Sequence, residues 1–140
     1  MSDEQLLKKA IEVGDEVEAP FNFGAVVADA NGKIISADHG YVFENHDPSA
    51  HAEVTAIKNA GKALNTQDLK GCILYASHEP CSMCVSCAVW AGIDRIVFNK
   101  LASEQDPGMY RINNYSASDY AKNFLVPIKV TRLDLRLGDQ

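Results

Sequence analysis

The sequence predicts an α/β sandwich around a mixed sheet, and two observations carry that expectation. Helix-like and strand-like segments alternate in the order helix, hairpin, helix, strand, helix, strand, irregular segment, strand. Several of the strand-like segments are short continuous apolar runs bounded by Gly or Pro, the pattern of buried strands. With 140 residues, 46% hydrophobic and 23% charged, the chain has the composition of an ordinary folded protein. That length suits one domain, residues 1–140, with a single core.

Leu6, Leu7, Ala10, Ile11, Val13 and Val17 fall mostly at helical spacing with acidic residues between them, predicting an amphipathic helix over 3–18 that Pro20 ends. Phe23 to Asp29 is apolar and β-prone, Asn31-Gly32 is a two-residue hairpin signal, and Lys33 to Ala37 resumes as a strand. Residues 38–47 show no period and read as a surface loop. Asp47-Pro48 then resembles a helix start, with Asp as N-cap and Pro at the first helical position, for a helix over 48–64. Cys72 to Ser77 suits a buried strand, Pro80 opens a third helix ending near Gly92, and Ile93 to Phe98 is another buried strand. Residues 101–124 are expected to form a loop with one or two short helices, and 124–137, partly alternating, the last strand.

The charge balance narrows the function. Thirteen basic residues against 19 acidic ones give −6, and Lys8-Lys9 is the one adjacent basic pair. Neutralising a phosphate backbone takes a concentrated basic surface, so a small-molecule substrate is expected and nucleic acid is not. No run reaches the roughly 18 to 20 apolar residues of a membrane span. The first segment also lacks the basic start and apolar stretch of a signal peptide, so a cytoplasmic location is expected. There thiols stay reduced, and closely spaced cysteines point to metal rather than to disulfides.

Cys81-Ser82-Met83-Cys84 sets two thiols three residues apart on one helical face, and Pro80 places them in the first turn. Helix dipole and free amides there favour thiolates, the form that binds zinc. C-x-x-C alone is also a redox or structural-zinc pattern. His51 and Glu53 open the preceding predicted helix, and the strand between the two helices lets both helix starts arrive at one end of the sheet. His51, Cys81 and Cys84 then make three ligands, the catalytic number, with a position left for a water whose pKa falls to about 7. Glu53 is two residues from His51, which disfavours it as a fourth ligand and suits it to moving the water's protons. Cys72 and Cys87 are expected to be buried small hydrophobes, with Cys87 as a closing fourth ligand the alternative.

His-x-Glu followed by Pro-Cys-x-x-Cys is the signature of zinc deaminases. At these residues the chain resembles the cytidine deaminase-like superfamily. DPSAHAEVTAIKNAG, CILYASHEPCSMC and Trp90 are most similar to bacterial guanine deaminases, and less so to tRNA adenosine and cytosine deaminases. The resemblance covers about residues 20–99 well. It implies a three-layer α/β/α sandwich with a five-stranded sheet, one Zn2+ per subunit, ammonia release from an amino-heterocycle such as guanine, and a homodimer. It further implies substrate contacts at Phe23, Ala52, Trp90 and Tyr110. Relatives acting on guanine or tRNA adenosine carry Asn eleven positions before the ligand His, where Gly40 stands here, and often Pro at the position of Asn22. Asn22, helped by His39, is therefore expected to take over polar recognition of the ring. Relatives also close the pocket with an aromatic C-terminal segment. Tyr110, Tyr115, Tyr120 and Phe124 are candidates for that lid or for ordinary core packing, and no further helix is expected before Gln140. Against the enzyme stands a zinc-stabilised binding module, which would have no need of Glu53.

Overall fold

Strands that are apolar throughout need helices on both faces, and the chain supplies them. The computed structural model describes residues 1–135. Its elements are α1 (Asp3–Gly14), β1 (Gly24–Ala28), β2 (Ile34–His39), α2 (Ala52–Leu64), β3 (Ile73–His78), α3 (Ser82–Ala91), β4 (Arg95–Lys100), two 3-10 turns (Ala102–Glu104 and Pro107–Met109), α4 (Ala117–Ala121) and β5 (Lys129–Arg132). The five strands form one mixed sheet in the order β2-β1-β3-β4-β5. β1 is antiparallel to β2 and β3, while β3, β4 and β5 are parallel.

Strict alternation divides the core into two layers. Val26, Ala28, Tyr75 and Val97 face α1, packing with Leu6, Leu7 and Ala10. Ala25, Val27, Leu74 and Ile96 face the other way, against Ala52, Ala56 and Ile57 of α2 and Val85 and Ala88 of α3. This is the expected three-layer sandwich. Each buried Leu, Val or Ile contributes on the order of 1.5–3 kcal/mol. A polar clamp registers α1 on the sheet: Arg95 donates to both oxygens of Asp3 at 2.9 and 2.8 Å, and the Tyr75 hydroxyl donates to Asp3 at 2.6 Å. The guanidinium holds the Asp3 carboxyl below its ordinary range.

The elements sit close to their expected places, with instructive differences at the ends. α1 stops at Gly14, short of the expected residue 18, because the chain turns back there to lay β1 against it, backbone to backbone. A Cβ on Gly24 would overlap the Ala10 carbonyl, and one on Gly14 would come within 2.7 Å of the Asn22 carbonyl. α2 begins at Ala52 rather than Pro48. Asp47 does not cap it; its carboxylate instead accepts the Ser49 amide at 2.9 Å and hydroxyl at 2.7 Å, closing a local turn. β5 is four residues long inside the expected 124–137, of which 136 and 137 lie outside the described residues. No helix among the described residues is long and apolar enough to cross a membrane.

Gly24→Ala is expected to destabilise the protein by about 2 kcal/mol or more, because the colliding atoms are backbone and cannot rotate away. Thermal unfolding read by circular dichroism checks it.

Candidate metal centre

β2 and β3 both run against β1, so their carboxyl ends emerge at the same edge of the sheet. The chain leaves β2 through a loop closed by the Tyr41 amide on the Ala50 carbonyl at 2.9 Å, and delivers His51 as the N-cap of α2. It leaves β3 through Glu79 and Pro80 and delivers Cys81 as the N-cap of α3. Both ligands thus sit one step outside the first turn, where the sequence places them. Cys84 follows within the first turn of α3, fully buried.

The ligand atoms form a nearly equilateral triangle. His51 Nδ1 lies 3.5 Å from each sulfur, and the sulfurs are 3.6 Å apart. A tetrahedral zinc with Zn–S near 2.3 Å and Zn–N near 2.0 Å would separate two sulfurs by about 3.8 Å, and sulfur from nitrogen by about 3.5 Å. The residues therefore fit zinc as placed. Among the described residues this is the one such cluster of His, Cys, Asp and Glu, and Cys87 is outside it. Cys72 is buried in the core, and Cys87 packs half-buried against it. Cys72 is the buried small hydrophobe expected of it, whereas Cys87 is only partly buried.

The electrostatics ask for a cation. The hydrogen bond between the two sulfurs pulls the Cys81 thiol down to about 4, while the same contact, with burial, pushes the Cys84 thiol up. The bond to Cys81 raises the His51 pKa. Glu53, in the first turn of α2 and 8% exposed, is pushed up to about 7, first by burial and then by the Cys81 charge. It is a buried carboxylate beside the ligands and not one of them.

A cavity of about 480 Å³ opens over His51, Glu53 and Cys81. Of the six residues expected to contact the substrate, Phe23 and Tyr110 lie in its walls. The other four, Asn22, His39, Ala52 and Trp90, do not. Asn22 donates its amide to Asp15 at 3.1 Å and is not among the lining residues. His39 is turned to the Gly40 carbonyl at 2.9 Å and to the Tyr41 ring, 4.5 Å between centroids. Ala52 is 1% exposed within the core, and Trp90, on the last turn of α3, is 88% exposed to solvent. Gly40 does line the cavity, offering it no side chain.

Of the four aromatics that were candidates for lid or core, Tyr110 alone lines the cavity; Tyr115, Tyr120 and Phe124 pack on the core. Sequence reading missed Glu79, Met83 and the apolar mouth at Phe21 and Phe43, all of which line the cavity. Glu79 stands in the Glu-Pro-Cys motif and was there to be noticed, whereas Phe43 lies in an aperiodic loop with no signal.

Residues 1–100 match the model of the cytidine and deoxycytidylate deaminase zinc-binding region. The tRNA-specific adenosine deaminase of Aquifex aeolicus (strain VF5) is 42% identical over 105 residues, 72% of this chain and 68% of that protein. Guanine deaminase of Bacillus subtilis (strain 168) is 45% identical over 94 residues, 65% of this chain and 60% of that protein. The X-ray structure of guanine deaminase from Bacillus subtilis superposes with a TM-score of 0.71 at 33% identity, covering 99% of this chain and 88% of that one.

Cys84→Ala is expected to lose stoichiometric zinc, whereas Cys87→Ala keeps it. Metal analysis of the purified variants is the check. The thermal midpoint should rise with zinc for Cys87→Ala and stay flat for Cys84→Ala, since an ion that binds only the folded state stabilises it.

Proposed function

The chain belongs to the cytidine and deoxycytidylate deaminase zinc-binding family, and from that membership we propose that it hydrolytically releases ammonia from a free nucleobase or related amino-heterocycle, guanine first. The observation that carries this reading is Glu53, a buried carboxylate in a cavity it shares with His51 and Cys81. A purely structural zinc site needs neither the carboxylate nor the cavity. The relative named guanine deaminase supports guanine. tRNA adenosine has comparable similarity behind it, but the net charge of −6 weighs against a polyanion.

When bound, zinc lowers the pKa of a coordinated water to about 7 and so supplies a hydrolytic nucleophile at neutral pH. Glu53 takes a proton from the attacking water and delivers it to the ring nitrogen beside the amino-bearing carbon. It then carries the second proton to the amino group, which leaves as ammonia, so that both water protons are accounted for. Phe23 and Tyr110 hold the flat ring between aromatic walls. Residues 1–140 act as one deaminase domain in the cytoplasm, as a homodimer. The exposed apolar side chains Trp90, Leu125 and Val126 support a surface that a second copy covers.

The zinc-loaded chain is to be assayed for ammonia from guanine, adenine, cytosine, isocytosine, amino-triazines, their nucleosides and a tRNA stem-loop, with guanine expected fastest. Glu53→Gln should keep its zinc and lose about 10²-fold or more in kcat. Persistent turnover, or loss of zinc, would remove Glu53 from this role. Release from the stem-loop alone would replace the substrate.

A further inference from the structure

The stretch after β4 supplies Gly108, Met109, Tyr110 and Arg111 to the cavity lining. It joins no strand of the sheet and contains just two 3-10 turns and the five-residue α4, so its position has to be fixed by other means. Those means converge on the two residues between β3 and Cys81. Glu79 is 6% exposed. Its Oε1 accepts the Ala102 amide at 2.8 Å and its Oε2 the Ala117 amide at 2.6 Å. The Glu79 carbonyl accepts the Tyr110 hydroxyl at 2.7 Å, and the Pro80 carbonyl accepts the Tyr115 hydroxyl at 2.7 Å.

Ala102 opens the first 3-10 turn, and Ala117 is the first residue of α4. One carboxylate therefore grips both ends of the intervening loop, whose tip reaches the cavity. The grip is charge-assisted and buried, where such bonds are strongest. The main chain carrying it is itself tied down, the Glu79 amide donating to the Lys100 carbonyl at 2.7 Å. Two residues further on is Cys81, so the loop and the ligand triangle share one rigid joint.

We propose that Glu79 is a positioning residue that staples residues 102–117 to the joint bearing Cys81 and so sets the cavity wall against the three ligands. The proposal rests on the deaminase reading of this site. Each carboxylate oxygen already holds an amide of the loop, which leaves proton transfer to Glu53 and gives Glu79 the task of shaping the cavity. Gln at this position offers one acceptor in place of two, and its NH2 would face a buried amide donor, leaving that donor without a partner.

The test uses the zinc-loaded full chain and two variants. Glu79→Gln weakens the staple from the carboxylate side. Ala117→Pro removes the amide facing Oε2 from the other side, at a first helical position that Pro tolerates, after an extended Ser116 (φ −136°, ψ 124°) that suits a following Pro. It keeps the proposal open to refutation should Glu79→Gln not fold. Amide hydrogen exchange over 102–117 is measured without ligand, and Michaelis kinetics on guanine or on whichever ring the substrate panel ranks first. Both variants are expected to retain zinc, to exchange faster over 102–117, and to show KM raised on the order of tenfold with kcat changed less than about threefold. Wild-type exchange in both variants would overturn the staple whatever the substrate. A fall in kcat without a rise in KM would overturn it too, by placing Glu79 at the reacting atoms. A wild-type chain that releases no ammonia from any ring would instead overturn the deaminase reading.

Discussion

Because β1 runs against both of its neighbours, β2 and β3 finish at the same edge of the sheet, and the parallel pairing of β4 brings its end there as well. Everything functional follows from that shared edge. The loop after β2 carries His51 and Glu53, the turn after β3 carries Cys81 and Cys84, and the stretch after β4 carries Tyr110 and the rest of the cavity's far wall. Ligands generally bind at the carboxyl ends of strands in α/β sheets, because that is where successive loops meet. The backbone contact of Gly14 with Gly24 and the Asp3–Arg95–Tyr75 clamp hold α1 on the opposite face, leaving the edge free for chemistry.

At that edge the chain gathers groups whose charges do not balance among themselves. Two thiols 3.6 Å apart push each other's pKa values in opposite directions, an imidazole is drawn toward its charged form, and a buried carboxylate is pushed toward neutrality. A divalent cation held by His51, Cys81 and Cys84 would resolve all of these, since it would let both sulfurs ionise and offset the charge that Glu53 meets. The strain of assembling such groups is carried by the surrounding frame: Asp47 ties the loop before α2, and Glu79 with two tyrosine hydroxyls ties the loop after β4. The metal ligands therefore stand between two restrained loops rather than on one.

The fold was legible because burial writes itself into residue type. CILYAS and IDRIVF gave their strands away by apolar content, and Asn31-Gly32 gave the hairpin. The ligand triangle was legible because metal chemistry demands particular side chains at particular spacings. Helix starts were less so: Asp47-Pro48 has every local mark of a cap, yet its carboxylate turns to Ser49 and the helix waits four residues. Substrate contacts were least legible. Which way a polar side chain such as Asn22 turns depends on partners such as Asp15 that only the folded chain brings near.

The organising idea is a three-ligand zinc site with an open coordination position facing the cavity. Zinc K-edge X-ray absorption on the zinc-loaded chain measures it directly. Two sulfurs near 2.3 Å and two nitrogen or oxygen neighbours near 2.0 Å are expected, the second light atom being solvent. A third sulfur in the first shell would contradict the open site, because it would mean that Cys87 or Cys72 closes the coordination and leaves no position for water.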